Sequence, residues 1–434
     1  MSYLNDVRIN WYHSPIDKET LRSLTTRCDW KGFAQIIPQL LLTVATGVGA
    51  YYAWQYLSWP LVVLVLYIHA TVYSFLGLSG AGHELCHGTP FKTRFWNEFF
   101  LKLVAFLSYT NYIHFRASHN GHHKWTVHKG IDLEVVLPIT INKRDLFWML
   151  TFNVMALKFI LQMTFRHACG IIKGEWEERI FPETDMENRR KMRDWARFIL
   201  VGHLLLAAAF IYFKLWPLLF IITLAPFYGG WLNFLCGFTQ HVGLVPSVPD
   251  FRLCCRTVIL NPLTRFFYWH MNYHIEHHMY AAVPFYNLRH LRKAIEADLP
   301  PAYPGLLAAW REIIPIMRKQ KEDPAYVFVP PLPGEKMNVN SMNEKYTDFE
   351  NKLLLFINSV NSLLPENVIS EATDYVVKFG EYECALDLVC YNLDENDIKI
   401  NKYSLDVLIE IVSDMGMKNE IGNYCIFNVI ENNK

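Results

Sequence analysis

Charge is scarce in this chain and it cancels. Asp, Glu, Lys and Arg make up 19% of 434 residues, with 41 basic side chains against 41 acidic ones. The basic surplus of a nucleic-acid binder is therefore missing, and no nucleic-acid partner is expected. No CxxC pair occurs among the nine scattered cysteines, no HPGG-type segment is present and no GxGxxG loop is present. These absences remove a built-in iron–sulfur cluster, haem or flavin, and the chain reads as reduced and free of disulfides. The polar start, MSYLNDVRIN, lacks the short apolar core of a cleaved signal.

What replaces charge is apolar bulk. Hydrophobic residues are 52% of the chain, with 29 Phe, 23 Tyr and 13 Trp. Residues 34–57 and 60–79 are each long enough to cross a bilayer, with Trp54 and Trp59 placed as an interfacial belt, and a second pair follows at 196–213 and 216–236. Two further apolar stretches, 99–113 and 146–165, are ambiguous. Basic residues surround the N-terminal segment and the loops that follow each pair, whereas the hairpin turns carry at most Lys214. The positive-inside rule then gives four spans with both termini in the cytoplasm and the 146–165 helix in the interface or re-entrant. The first span acts as the insertion signal.

Eight histidines fall in three clusters: HELCH (His83, His87), HNGHH (His119, His122, His123) and HIEHH (His274, His277, His278). Positions three and four apart share a helix face, so each cluster offers several imidazole nitrogens to one region of space. One zinc needs four protein ligands, or three and a water, so two metals fit the count better. Imidazole alone does not choose between iron, zinc and copper. The remaining histidines, His13, His69, His114, His128, His167, His203, His270 and His290, are expected to pack or to be solvated, with His241 set apart below.

Composition changes at VPPLPGEK, residues 329–336. Residues 337–434 hold 7 Lys and no Arg against 17 Asp plus Glu, a net charge of −10, and they lack His and Trp. Stretches such as EYECALDLVCYNL and SLDVLIEIVSDM repeat apolar residues at helical spacing. The expected division is a cytoplasmic segment 1–33, a membrane domain 34–328, a linker 329–342 and a small acidic helical domain 343–434; Met337 could serve as an independent start. The fold class is all-α: a four-span helical bundle with interfacial helices and a histidine-rich cytoplasmic cap, followed by a soluble helical domain.

The order of the three boxes, their gaps and the trailing text HIEHHMYAAVPFYNLRHL resemble the integral-membrane fatty acid desaturases and their hydroxylase relatives over most of residues 30–300. The resemblance implies a cytoplasmic di-iron centre that activates O2 with electrons from a separate donor such as a ferredoxin with its reductase. It implies His83, His87, His119, His122, His123, His274, His277 and His278 as iron ligands, and His241, in GFTQHVG, as a ninth. Nine nitrogens give roughly four to five per iron, leaving room for oxygen. Metal-bound imidazoles usually donate their other N–H to a carboxylate or carbonyl. Glu84 and Glu276 inside the boxes, Asp132 and Glu134 in GIDLE, and Asn272 and Asn233 are the candidates for that task, with Arg116 pairing one of these acids.

Oxygen activation suits an unactivated C–H bond, and a membrane site suits a fatty acyl or lipid substrate. Desaturation is favoured by HIEHH and VPFYNL, with hydroxylation of an alkyl or lipid substrate as the alternative. A zinc-dependent lipid hydrolase would leave many of the clustered histidines without a role. Residues 343–430 resemble the small immunity proteins of Maf polymorphic-toxin systems, which implies a toxin partner for the tail.

Overall fold

The computed structural model of the chain describes residues 11–333 and, toward the C-terminus, 351–374, 382–396 and 398–414, with Ile9, Phe349 and Val376. Met337, the linker beyond Pro333 and much of the immunity-protein resemblance lie outside the described residues. Every element described is helical, and β-pairing is limited to four isolated bridges. Contacts divide the described residues into two compact units, one of residues 11–124 with Glu134–Pro333, the other of Trp125–Leu133 with Ile9 and the described residues from 349 onward.

In the larger unit a short helix α1 (Lys18–Leu24), capped by Asp17, precedes α2 (Asp29–Tyr56). At 1.5 Å per residue, the 28 residues of α2 reach about 42 Å. Its partner α3 (Trp59–Ser74) starts after Ser58 with Pro60 in the first turn, where a missing N–H costs nothing. Leu41, Val44, Val63 and Leu64 all point outward from this hairpin and form an exposed apolar face. Later, α10 (Met186–Tyr212) turns Val201, Leu204 and Leu205 outward in the same way. Among the described residues, α2 and α10 are the helices long and apolar enough to cross a membrane, and α3 is shorter.

The expected fourth span, 216–236, is not one helix. It breaks into α11 (Trp216–Leu218), a π turn at Leu219–Thr223, a 3-10 turn at Ala225–Phe227 and α12 (Trp231–Gly237). Pro226 cannot donate to a continuing ladder. Gly229 then takes a φ of 72° in a gap where a Cβ would meet Thr71 N at 2.7 Å, so close approach to α3 sets the break.

Between these segments lie α4 (Ala81–His87), α5 (Arg94–Leu107), α6 (Tyr112–Trp125), α7 (Lys143–Leu150), α8 (Val154–Ala168) and α9 (Glu175–Ile180). The ambiguous stretch 146–165 is split between α7 and α8 at Asn153, whose side chain caps Ala156 N. Beyond α12 come α13 (Phe251–Cys254), α14 (Pro262–Phe267), α15 (His274–Met279), α16 (Leu288–Ile295) and α17 (Leu306–Glu322). The turn from α3 into α4 is unusually tight. A Cβ on Gly80 would stand 2.1 Å from Phe75 O and one on Gly82 2.9 Å from Gly77 O. Only glycine allows α4, with its two histidines, to begin there.

In the other unit the helix at 351–359, α18 (Glu366–Asp374), α19 (Tyr382–Glu395) and α20 (Lys402–Asp414) close on a core of their own. Leu353, Phe356, Ile357, Leu386, Leu393 and Leu408 are at its centre, all at most 1% exposed. The helical spacing read in the sequence supplies this core. Trp125–Leu133, which chain order alone puts in the membrane domain, groups with this unit by contact.

Candidate metal centre

Four elements carry the nine histidines. The four-residue spacing of HELCH sets His83 and His87 one above the other on α4, and Gly88, in the left-handed region with φ 68°, ends that helix directly after His87. The second box lies on the last two turns of α6, and the third makes up most of α15. His241 follows α12 by four residues, in the turn beyond it.

These side chains gather into two adjoining groups. His83, His87, His119, His123 and His277 bring one nitrogen each within 4.8 Å of one another, and His122, His241, His274 and His278 do the same. Each HxxHH box is therefore divided. Its i and i+4 members, His119 with His123 and His274 with His278, enter one group, and the i+3 member, His122 or His277, crosses to the other. A step of 3.6 residues per turn explains it: i+4 falls 40° past a full turn and i+3 falls 60° short, so a box straddles two neighbouring points. The groups touch where the His123 and His278 rings stack, centroids 4.1 Å apart.

Nitrogens within a group face one another. Nε2 of His123 lies 3.1 Å from Nε2 of His119 and 3.1 Å from Nε2 of His277, and Nε2 of His274 lies 2.9 Å from Nε2 of His241. Ligands at about 2.0–2.1 Å from a common metal stand about this far apart. His87 Nε2 is buried without a hydrogen-bond partner, an arrangement costly for an ordinary core histidine and natural for a ligand. Burial, reinforced by the neighbouring imidazoles, pushes His83, His119, His123, His274, His277 and His278 well below their ordinary pKa and His87 down to about 4. They are neutral at pH 7, the form that binds metal. The residues present therefore fit a pair of transition-metal ions.

In His119 and His241 the opposite ring nitrogen is fixed by a hydrogen-bond partner. His119 Nδ1 meets Glu134 Oε1 at 2.9 Å, and His241 Nδ1 meets the Cys254 carbonyl at 2.8 Å. Glu84 Oε1 lies 3.3 Å from His83 Nδ1 and 3.5 Å from His277 Nδ1. Burial raises Glu84 to about 8, so its carboxyl is protonated at neutral pH.

Glu276, Asn272 and Asn233 make other contacts. Glu276 accepts from Arg292 Nη1 at 2.6 Å and from Thr257 Oγ1 at 2.6 Å, so both its oxygens anchor α15 instead of orienting an imidazole. Box position put Glu276 beside the ligands, but the helix turns it toward α16. Asn272 donates to Val258 O and Asn233 to Ser74 O. Asp132 accepts from Val127 N at 2.8 Å. Arg116 pairs with Glu98 at 2.7 Å and not with any of the acids proposed for it.

Residues without a sequence signal complete the surroundings. Ser118 donates to Glu134 Oε2 and accepts from Trp176 Nε1, so a chain of contacts runs from α9 to His119. Glu134 carries a sequence signal and Ser118 stands one position before the second box, but no local pattern marks Trp176. The boxless histidines mostly pack as expected, His69 between Thr46 and Ile221 O and His203 against Phe106 O.

The sequence profile of the family described as fatty acid desaturase matches residues 57–310, more than half of the chain and a stretch that contains all nine histidines. No curated protein matches the chain.

Proposed function

The chain belongs to the fatty acid desaturase family, and from that premise we propose that it is a membrane-bound, oxygen-dependent desaturase of fatty acyl chains whose nine histidines hold two iron ions. The observation that carries the reading is the division of those histidines into two adjoining groups of five and four. A hydrolytic zinc site uses one such group and leaves the other without a purpose. Each group also falls short of six ligands, which leaves positions for oxygen.

Iron bound there would supply the oxidising power to remove hydrogen from an unactivated methylene, with O2 and two external electrons as co-reactants. The chain's own residues hold and orient. His119 is fixed by Glu134, His241 by the Cys254 carbonyl, and α15 by the Glu276 ties to Arg292 and Thr257. Burial of seven of the nine rings to 5% exposure or less, and partial burial of His87 and His123, keeps bulk water from the centre.

The membrane reading rests on α2, α10 and the outward apolar faces of α2, α3 and α10. In it, four crossings are completed by the broken 216–236 segment, and the termini and the metal centre are cytoplasmic, where the basic residues cluster. A separate ferredoxin-type donor supplies electrons.

Lipid profiling of cells expressing the intact chain or its His277→Ala variant tests this function. A new unsaturated acyl species, present with the intact chain and absent with the variant, is expected. A hydroxylated product instead would move the assignment to the hydroxylase branch, and identical profiles would refute both.

A further inference from the structure

Away from the nine histidines, His114 on α6, His167 at the end of α8 and Glu177 on α9 bring one ligand atom each within 4.8 Å of one another. His167 is fully buried and Glu177 is 7% exposed. His167 Nε2 lies 3.2 Å from Glu177 Oε1. His114 Nε2 faces the same oxygen at 3.8 Å, buried and without a hydrogen-bond partner. That distance is too long for a hydrogen bond. In a tetrahedral zinc site, with bonds of about 2.0–2.2 Å, nitrogen and oxygen ligands stand about 3.3–3.5 Å apart. The two separations bracket that value.

Protonation states suit a cation. Burial and the adjacent His167 push His114 down to about 4, so its ring is neutral at pH 7. Burial alone would raise Glu177, but the His167 hydrogen bond, the Lys173 amide and the Arg166 charge outweigh it and hold the carboxylate ionised. Arg166 Nη2 currently sits on Glu177 Oε1. Its side chain is 25% exposed, and its other contact is to the Lys173 carbonyl at 3.3 Å, so it can withdraw into solvent.

We propose that His114, His167 and Glu177 form a third metal site for a zinc-class divalent ion, with the Arg166 guanidinium as the counter-charge of the metal-free state. Three protein ligands and a water complete its coordination. The ion ties α6, α8 and α9 together. It thereby holds in place the helix that presents Trp176 to Ser118, one residue from His119. Nothing in this site depends on which metal fills the nine-histidine centre.

Zinc titration of the purified full-length chain, with its nine-histidine centre already loaded with iron and a chromophoric chelator as competitor, tests the proposal. One zinc per chain beyond the iron is expected. His114→Gln should lose it, and Arg166→Gln should bind it more tightly, because the competing cation is gone. If Arg166 is only a structural partner of Glu177, its replacement lowers stability and leaves zinc affinity unchanged or weaker, which overturns the proposal. So does a wild-type chain that takes up no zinc, or a His114→Gln chain that binds as tightly as wild type. Should His114→Gln fail to fold, the partly exposed Arg166→Gln variant still decides the sign.

Discussion

Replacing Glu134 by Ala isolates the role of one carboxylate. Its Oε1 holds His119 Nδ1 at 2.9 Å and its Oε2 accepts from Ser118, so the variant frees the ring of a ligand in the five-histidine group while leaving all nine imidazoles present. Loss of such a partner typically weakens metal affinity about 10–100-fold, or about 1.4–2.7 kcal/mol. Glu134→Gln keeps an acceptor without the charge and should fall between Ala and wild type. Glu276 supplies the contrast. Its carboxylate is fully buried and bound to Arg292 and Thr257, and breaking a buried pair of this kind costs about 3–5 kcal/mol of folding stability. Glu276→Gln should therefore lower the unfolding temperature more than Glu134→Ala does, and Glu134→Ala should weaken iron binding in a chelator competition without a matching loss of stability. Unchanged iron affinity in Glu134→Ala, in a chain shown to be folded, would refute the reasoning.

Three further outcomes follow from the geometry. His87→Ala and His274→Ala strike different groups, so each should lose one of the two irons and retain the other, as read by metal analysis; loss of both from either variant would mean the groups do not load separately. Gly80→Ala forces a Cβ to within 2.1 Å of Phe75 O, and overpacking of that kind costs about 1–3 kcal/mol or more, measurable as a lower unfolding temperature in detergent, with wild-type stability as the contrary result. Removal of residues 337–434 should leave acyl conversion intact, since the nine histidines all lie in the larger unit; a truncated chain that is loaded with iron yet inactive would show that the tail takes part.

The sequence exposes the candidate metal centre unusually well because its histidines repeat at the pitch of a helix. His83 with His87, and His119 with His123, are neighbours by local geometry alone. Which group takes His122 or His277 depends on how α6 and α15 approach each other, and that is tertiary. The same limit explains Glu276: box position makes it a neighbour of ligands, while its direction is decided by Arg292, 16 residues later. Trp176 meets Ser118 across 58 residues, and no local pattern marks that pair. His114 and His167 read as ordinary packing until the fold sets them beside Glu177. Apolar run length, in turn, finds α2 and α10 but passes over the Pro226 and Gly229 break in 216–236, because hydropathy does not register a missing N–H or a left-handed φ. The acidic tail shows its own core in its spacing, with Phe356 and Leu386 at helical positions.

The central claim is that two groups of imidazoles hold two irons. Iron and zinc counted per chain in the purified intact protein, beside the His277→Ala variant, test it most directly. Two irons in the intact chain, and fewer in the variant, are predicted. A nine-histidine centre that carries a single zinc, or no tightly held metal, would contradict the account.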